Sequence, residues 1–186
     1  MRIHLLGPSG SGTSTLGKLI AENFNIPWFD SDEISWIKTD PPFTINRKRD
    51  ERIKLLKEIL MNNNSFVLSG AVRTWGDFIS DYLDIVIYKY VEQQIRIKRL
   101  LERAKNRYGN RFYPGSDVYK LHEQLVDYTK KYETGGMDIR SRMSHLSWLN
   151  TLNCEIIRLE GDKTPEEELK IIKEIIGNSG KRQNGT

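Results

Sequence analysis

A glycine-rich segment near the start of the chain constrains the fold more than any other feature of the sequence. It runs from residue 7 to residue 15 as GPSGSGTST, directly after a mostly apolar stretch, residues 2–6, that predicts a short buried strand. After it, apolar residues recur at helical spacing and predict a helix that begins near Thr13; they are Leu16, Leu19, Ile20 and Phe24. A strand that turns through glycines into a helix brings backbone N–H groups to the positive end of the helix dipole, where anions bind.

The spacing of Gly7, Gly12 and Ser14 matches the frame of the phosphate-binding P-loop, between a strand and a helix as this motif requires. Glycines let the backbone turn tightly enough for its N–H groups to converge on phosphate oxygens. In this frame Ser14 takes the position of the hydroxyl that binds Mg²⁺, and Thr15 can donate to a phosphate. The sequence therefore predicts a nucleotide-binding site formed by Gly7, Ser9, Gly10, Ser11, Gly12, Thr13, Ser14 and Thr15.

The P-loop lysine is absent, because the position after Gly12 holds Thr13. That lysine brings a positive charge to the β- and γ-phosphates, which a threonine hydroxyl cannot do. Lys18 is a poor substitute, since it lies more than one helical turn further along the chain. The backbone amides, the helix dipole and Mg²⁺ remain, so we expect nucleotide binding to persist. Efficient phosphoryl transfer then requires a cation from elsewhere in the chain.

Short apolar stretches alternate with helical stretches along the rest of the chain. This alternation favours an α/β fold, in which a parallel sheet is covered by helices on both faces. The length of 186 residues fits one domain with a full apolar core. We predict that this domain spans residues 1–177 and that the small, polar residues 178–186 form a disordered tail. The strands predicted after the first lie near residues 27–29, 66–68, 85–88 and 155–159.

Composition argues against several classes of protein. No apolar run approaches the roughly 20 residues that span a bilayer, and the single cysteine, Cys154, cannot form an internal disulfide. These features predict a cytoplasmic protein without a membrane partner. Residues 89–142 contain 13 Lys or Arg against 7 Asp or Glu, a basic stretch that can bind nucleic acid, surround a nucleotide polyphosphate or form a solvated surface. Because it contains no nucleic-acid-binding motif, we predict no nucleic-acid partner.

Two carboxylates follow the second predicted strand, at the sheet edge where parallel α/β proteins bind ligands. Asp30 or Asp32 can hold Mg²⁺ or accept a proton from a substrate hydroxyl. Alternatively, Asp32 or Ser31 only caps the next helix. The third predicted strand ends at Ser69 instead of the usual acidic residue, which shifts metal binding towards Asp30 and Asp32.

Two further residues are candidates for binding the substrate. Arg73 follows the end of the third predicted strand, where a guanidinium group can form a bidentate pair with an anionic substrate. Trp36 lies in the segment after the two aspartates and is the best candidate among the four tryptophans, which otherwise are most often packing residues.

Arginines in the basic stretch are candidates for the missing positive charge. Arg99, Arg103 and Arg107 recur every fourth residue, so they share one face of a predicted helix. Such a stripe is usually a solvated surface, but here it leads into a loop rich in glycine and proline. It can therefore also form a lid that brings positive charge to the phosphates. We predict a helical lid over residues 107–142, with catalytic arginines at Arg103, Arg107, Arg140 and Arg142.

These landmarks together resemble the nucleoside-monophosphate-kinase-like P-loop superfamily, which includes adenylate, cytidylate and shikimate kinases. Phe66 to Gly70 followed by Arg73 resembles the adenylate kinase strand that leads to a substrate arginine, and Asp30 to Asp32 resembles the acidic turn of shikimate-type kinases. More closely, the chain resembles an uncharacterised bacterial group of adenylate-kinase-like ATP-binding proteins, in features such as residues 40–44 and 107–109. That group also has threonine at the lysine position. The resemblance implies about five parallel strands in the order 2-3-1-4-5, together with ATP and Mg²⁺.

The leading hypothesis is a small-molecule kinase that transfers the γ-phosphoryl group of ATP to a nucleotide, nucleoside or similar hydroxyl-bearing metabolite. In it Ser14 and Asp30 bind Mg²⁺, Asp32 and the lid arginines act in catalysis, and Arg73 binds the acceptor. The alternative is a catalytically weak nucleotide-binding regulator, which would explain both the missing lysine and the missing acidic residue at Ser69.

Overall fold

Five short segments form one parallel sheet in the computed structural model, which describes residues 1–183. They are β1 (Arg2–Leu6), β2 (Trp28–Asp30), β3 (Phe66–Ser69), β4 (Ile85–Tyr90) and β5 (Glu155–Glu160). The strand order is β2–β3–β1–β4–β5, and every neighbouring pair is parallel. The prediction of an α/β fold with the strand order 2-3-1-4-5 is therefore confirmed.

Seven α-helices connect and cover these strands within residues 1–183. They are α1 (Thr13–Phe24), α2 (Ser31–Ser35), α3 (Arg49–Asn62), α4 (Gln93–Tyr108), α5 (Asp117–Lys130), α6 (Arg142–Leu149) and α7 (Pro165–Gln183). Short 3₁₀ turns occur at Arg73–Trp75, Asp77–Tyr82 and Gly109–Arg111. Over the described residues, no helix combines the length and the apolar character that crossing a bilayer requires.

The sheet has a separate apolar core on each face. Side chains alternate along a strand, so Leu5 of β1 belongs to one core and Leu6 to the other. The first core contains Leu16 of α1 and Ile172 of α7, and the second contains Leu56 of α3 together with side chains of α6. Because both faces are covered, polar side chains can reach ligands only at the ends of the strands.

The carboxyl ends of four strands meet at one edge of the sheet. Leu6 of β1 is in register with Tyr88 of β4, so the glycine-rich loop emerges beside the last residues of β4. On the other side of β1, Asp30 of β2 is in register with Ser69 of β3. The sheet thus brings the loop, the first predicted carboxylate and the end of β4 to the same place, although they are distant in sequence.

The last helix continues beyond Gly177, where the sequence predicted a disordered tail to begin. Its start matches the sequence pattern, because the Thr164 backbone N–H donates to Glu167 Oε2 at 2.8 Å and the Glu167 N–H donates back to Thr164 Oγ1 at 3.3 Å. The helix extends to Gln183, so the prediction of disorder is wrong for residues 178–183. A glycine inside a helix costs only about 1 kcal/mol relative to alanine, and Gly177 therefore does not have to end the helix. Residues 184–186 lie outside the described part of the chain.

Because two histidines are buried, we predict that the protein loses stability in mild acid. Burial lowers the pKa of His4 to about 4 and that of His145 to about 3, from an ordinary value of about 6.5. Below pH 6.5 the unfolded chain therefore binds protons that the folded chain does not. We expect the free energy of unfolding, measured in urea between pH 6 and pH 4.5, to fall by roughly 2–3 kcal/mol per pH unit from these two groups. A His145→Gln variant should show about half of this slope, and an unchanged slope would contradict the assignment.

Candidate active site

The loop before α1 has the backbone geometry of an anion site. Gly10 and Gly12 adopt positive φ angles of 83° and 91°, which glycine adopts without a steric penalty. Gly12 is the N-cap of α1, no side chain accepts a hydrogen bond from the helix N-terminus, and the first turn contains no acidic residue. By contrast, the first turn of α7 contains three glutamates. The N-terminal N–H groups of α1 are thus left without side-chain acceptors, and the helix dipole favours an anion there.

The loop is packed so tightly at Gly7 and Gly10 that neither position has room for a side chain. A Cβ atom on Gly10 would lie 2.7 Å from the carbonyl oxygen of Arg96, and one on Gly7 would overlap the carbonyl oxygen of Lys89. The Ser11 N–H donates to the Pro8 carbonyl at 3.1 Å and closes the turn. α4 and β4 therefore hold the loop from outside and leave its concave side for phosphate oxygens.

The P-loop hydroxyl and the first predicted carboxylate lie in direct contact. Ser14 Oγ donates to Asp30 Oδ2 at 2.7 Å, and Asp30 Oδ1 accepts the Asp32 backbone N–H at 2.9 Å. Asp30 itself is thus the N-cap of α2, where the sequence suggested Asp32 or Ser31. The described residues contain no group of three or more His, Cys, Asp or Glu side chains arranged for a metal ion. Mg²⁺ commonly takes one or two carboxylates, water and substrate phosphates instead, a set that Ser14 and Asp30 fit.

Ser69 replaces the acidic residue at the end of β3 and connects the strand to the P-loop. Ser69 Oγ donates to the Thr13 carbonyl at 3.2 Å and accepts the indole N–H of Trp28 at 3.0 Å. Ser69 Oγ occupies the space that a Cβ atom on Gly17 would fill, so Gly17 lets β3 and α1 pack closely here. This position therefore fixes the start of α1 and supplies no negative charge.

Asp32 faces the arginines that the sequence assigned to the lid. Its side chain is open to solvent, yet desolvation by the surrounding protein and the charge of Asp30 raise the pKa of Asp32. The positive charges of Arg140, Arg103 and Arg107 oppose this shift, in that order of strength. The predicted catalytic aspartate thus lies within electrostatic reach of three of the four predicted catalytic arginines.

Two of these arginines repel each other. Desolvation is the main reason that the pKa of Arg103 is lowered, and the neighbouring charge of Arg107 is the second. Asp32 and Asp30 offset this repulsion in part. The Arg107 guanidinium lies 5.1 Å from the ring centroid of Phe43, in the loop after α2. Two like charges that repel each other favour the binding of an anion near them.

Arg140 reaches the P-loop, whereas Arg142 contacts the last residue of β4. Arg140 Nη1 donates to Ser9 Oγ at 3.5 Å, which links the 131–141 segment to the phosphate loop. Arg142 is the first residue of α6, and its guanidinium lies 4.6 Å from the ring centroid of Tyr90. That Arg142 neutralises phosphate charge stays a prediction. Residues two apart in sequence were expected to act together, but the turn into α6 directs them to different partners.

The predicted substrate residues contact loops that also carry or contact the predicted catalytic arginines. Arg73 Nη2 donates to the Met137 carbonyl at 3.2 Å, and the charges of Arg140 and Arg73 both lower the pKa of His145 after the larger effect of burial. Arg73 and Arg140 thus lie on the same side of the site. Trp36 pairs through its backbone with Asn46, and its ring meets Phe43 edge-on at 6.2 Å between centroids.

Two buried cations lie beside the P-loop at positions that the sequence did not predict. Arg96 is fully buried; Nε donates to the Val91 carbonyl at 2.8 Å and Nη2 to Glu133 Oε1 at 2.8 Å, while Nη1 lies 3.5 Å from the Ser9 carbonyl. It lies between two isoleucines and outside the every-fourth stripe, so no pattern distinguished it. Lys89 is the second, and a lysine within a buried strand was the one available signal.

Comparison with known proteins identifies the family. No family model matches the chain. A Bacillus subtilis (strain 168) protein described as uncharacterized protein YqaC is 34% identical over 177 residues, which cover 95% of this chain and 98% of the relative. A shikimate kinase of Haemophilus influenzae (strain PittEE) is 32% identical over 122 residues, which cover 56% of this chain and 68% of the relative. The chain belongs to the adenylate- and shikimate-kinase-like P-loop superfamily.

A solved structure of another protein has the same fold as this chain. The shikimate kinase of Acinetobacter baumannii in complex with shikimate superimposes with a TM-score of 0.54 at 19% identity, over 95% of this chain and 93% of that one. At this identity the likeness concerns the fold.

Proposed function

We propose that the protein is an ATP- and Mg²⁺-dependent kinase that transfers the γ-phosphoryl group to a small hydroxyl-bearing acceptor, such as a nucleotide, a nucleoside or a similar metabolite. The observation that carries this proposal is the position of Asp32. It faces Arg103, Arg107 and Arg140 at the strand edge where the Ser14–Asp30 pair meets the P-loop. The kinases among the relatives support phosphoryl transfer as the general reaction class.

Each part of the site has a role in such a transfer. The N–H groups of the loop and of α1 hold the phosphates, and Ser14 with Asp30 would hold Mg²⁺, which neutralises phosphate charge when bound. The acceptor hydroxyl lies against Asp32, whose carboxylate orients it and accepts its proton. The guanidinium groups of Arg103, Arg107 and Arg140 stabilise the charge that spreads over the transferred group. Arg73 then binds an anionic group of the acceptor.

The experiment is a phosphoryl-transfer assay with ATP, Mg²⁺ and a panel of acceptors. The panel contains nucleosides, nucleoside monophosphates and carboxylated polyols, because these present a hydroxyl or a phosphate oxygen with an adjacent anion or ring. Formation of ADP and a phosphorylated product from one acceptor is the expected result. ATP binding in the micromolar range without turnover on any acceptor would count against the proposal.

A second candidate is a nucleotide-binding regulator with little catalytic activity. Two observations favour it: Thr13 stands in place of the P-loop lysine, and Ser69 uses its hydroxyl to hold the Thr13 carbonyl. Such a protein would bind ATP and change conformation on binding, without hydrolysing ATP or transferring its phosphoryl group.

A pH profile tests the role of Asp32. Because its pKa is raised, the carboxylate is protonated at a higher pH than an ordinary aspartate, whose pKa is about 3.9. The active form is the unprotonated one, so we expect kcat/KM to fall with decreasing pH along an acid limb set by this raised pKa. An Asp32→Asn variant should lose this limb and roughly 10²-fold or more of kcat. The neighbouring Glu33→Gln variant is the control, and an acid limb that persists in Asp32→Asn would exclude Asp32 as the base.

A further inference from the structure

Lys89 forms a buried ion pair directly behind the P-loop. Its ammonium group donates to Glu168 of α7, and the two side chains are only 3% and 1% exposed. Burial lowers the pKa of Lys89 and raises the pKa of Glu168, and the pairing opposes both shifts. Burial removes the solvation of both charges. Two apolar side chains of similar size therefore often stabilise a fold as much as such a pair does. Its presence at this position therefore calls for a reason other than packing.

The cationic end of this pair lies against the loop. A Cβ atom on Gly12 would be 3.5 Å from Lys89 Nζ and 3.8 Å from Arg99 Nη1. Arg99 Nη1 also donates to the Ser11 carbonyl at 3.3 Å, while its Nη2 pairs with Asp162. The three heavy atoms nearest to that point all belong to the two cations, and none to a carboxylate. Each ion pair is thus a dipole whose positive end faces the loop.

This arrangement coincides with the missing lysine. The residue after Gly12 is Thr13, so the loop contains no cation of its own. A charge a few ångströms behind the loop, in a site shielded from water, still raises the potential at the phosphates through the backbone amides. The absence of a side chain on Gly12 leaves the space that lets the ammonium approach.

We propose that Lys89 is a positioning residue that supplies, from β4, the positive charge that Thr13 does not provide, and that Glu168 holds its ammonium group against the loop. The inference rests on nucleotide binding within the proposed function, but not on the identity of the acceptor. It assigns to Lys89 an effect on nucleotide phosphates through the loop amides, without direct contact.

The test replaces the pair by apolar side chains without changing the net charge. A Lys89→Met, Glu168→Met variant should fold, as judged by circular dichroism and urea unfolding, and should bind ATP roughly ten-fold more weakly in calorimetry. Adding Thr13→Lys to this variant should restore most of the lost affinity, which a merely structural pair would not explain. An Asp127→Met, Lys130→Met variant removes an exposed pair on α5 and should bind ATP as the unmodified protein does.

Two outcomes would overturn the proposal. The first is a folded Lys89→Met, Glu168→Met variant with unchanged ATP affinity. If that variant does not fold, a Glu168→Gln variant decides: without the carboxylate that keeps the ammonium charged and in place, ATP binding should weaken and adding Thr13→Lys should restore it, whereas unchanged or tighter binding would overturn the proposal. Because these measurements use ATP alone, they remain decisive even if the acceptor panel shows no turnover.

Discussion

An Arg103→Ala, Arg107→Ala variant is expected to lose about 10³-fold or more of kcat, while its affinity for ATP changes little. Both guanidinium groups lie within electrostatic reach of Asp32. Their charge matters most when negative charge develops on the transferred group, and less when ATP binds to the loop.

The matched control lies on the same helix. Lys98 and Lys105 are exposed on α4, and a Lys98→Ala, Lys105→Ala variant removes the same amount of positive charge. We expect it to retain nearly full turnover in the assay that identifies the acceptor. Equal losses in the two variants would mean that only the overall basic character of α4 is used. A protein that binds ATP and shows no turnover before or after these substitutions would instead be the regulator.

A Gly10→Ala variant is expected to lose roughly 100-fold in ATP affinity, because strain and a displaced amide act together. The φ angle of 83° already disfavours a side chain, and the new Cβ atom would lie 2.7 Å from the carbonyl oxygen of Arg96. Since the carbonyl belongs to the backbone of α4, the loop must shift instead. Its amides then no longer converge on one phosphate. Calorimetric titration with ATP measures the effect.

Gly115 provides a control that separates strain from collision. It has a φ angle of 88°, and no atom lies within 4 Å of a Cβ built there. A Gly115→Ala variant therefore has the same backbone strain without the contact, and it lies in the loop before α5 instead of in the P-loop. We expect a small loss of stability and unchanged ATP affinity. Comparable losses of ATP affinity in both variants would show that the packing of Gly10 against α4 is not what shapes the loop.

The arginines illustrate how far a sequence pattern can reach. The every-fourth spacing correctly placed Arg103 and Arg107 on one helical face, because that spacing depends only on the geometry of a single helix. The same pattern grouped Arg99 with them, yet Arg99 binds Ser11 and Asp162 behind the loop. Whether a charged residue on a helix reaches the site or the outer side of the P-loop depends on how the helix packs. The spacing of residues in the sequence does not give that packing.

By itself the sequence determined the P-loop, the parallel sheet and the edge at which Asp30 and Asp32 lie. These features depend on local spacing and on the rule that parallel strands end at the same edge. Only the tertiary structure decided which cations surround the loop. It brought in Arg96 and Lys89, placed Arg142 against Tyr90, and paired Lys89 with a glutamate from the last helix. A buried charge is recognised by its partner, and partners distant along the chain become neighbours only when the sheet and helices have packed.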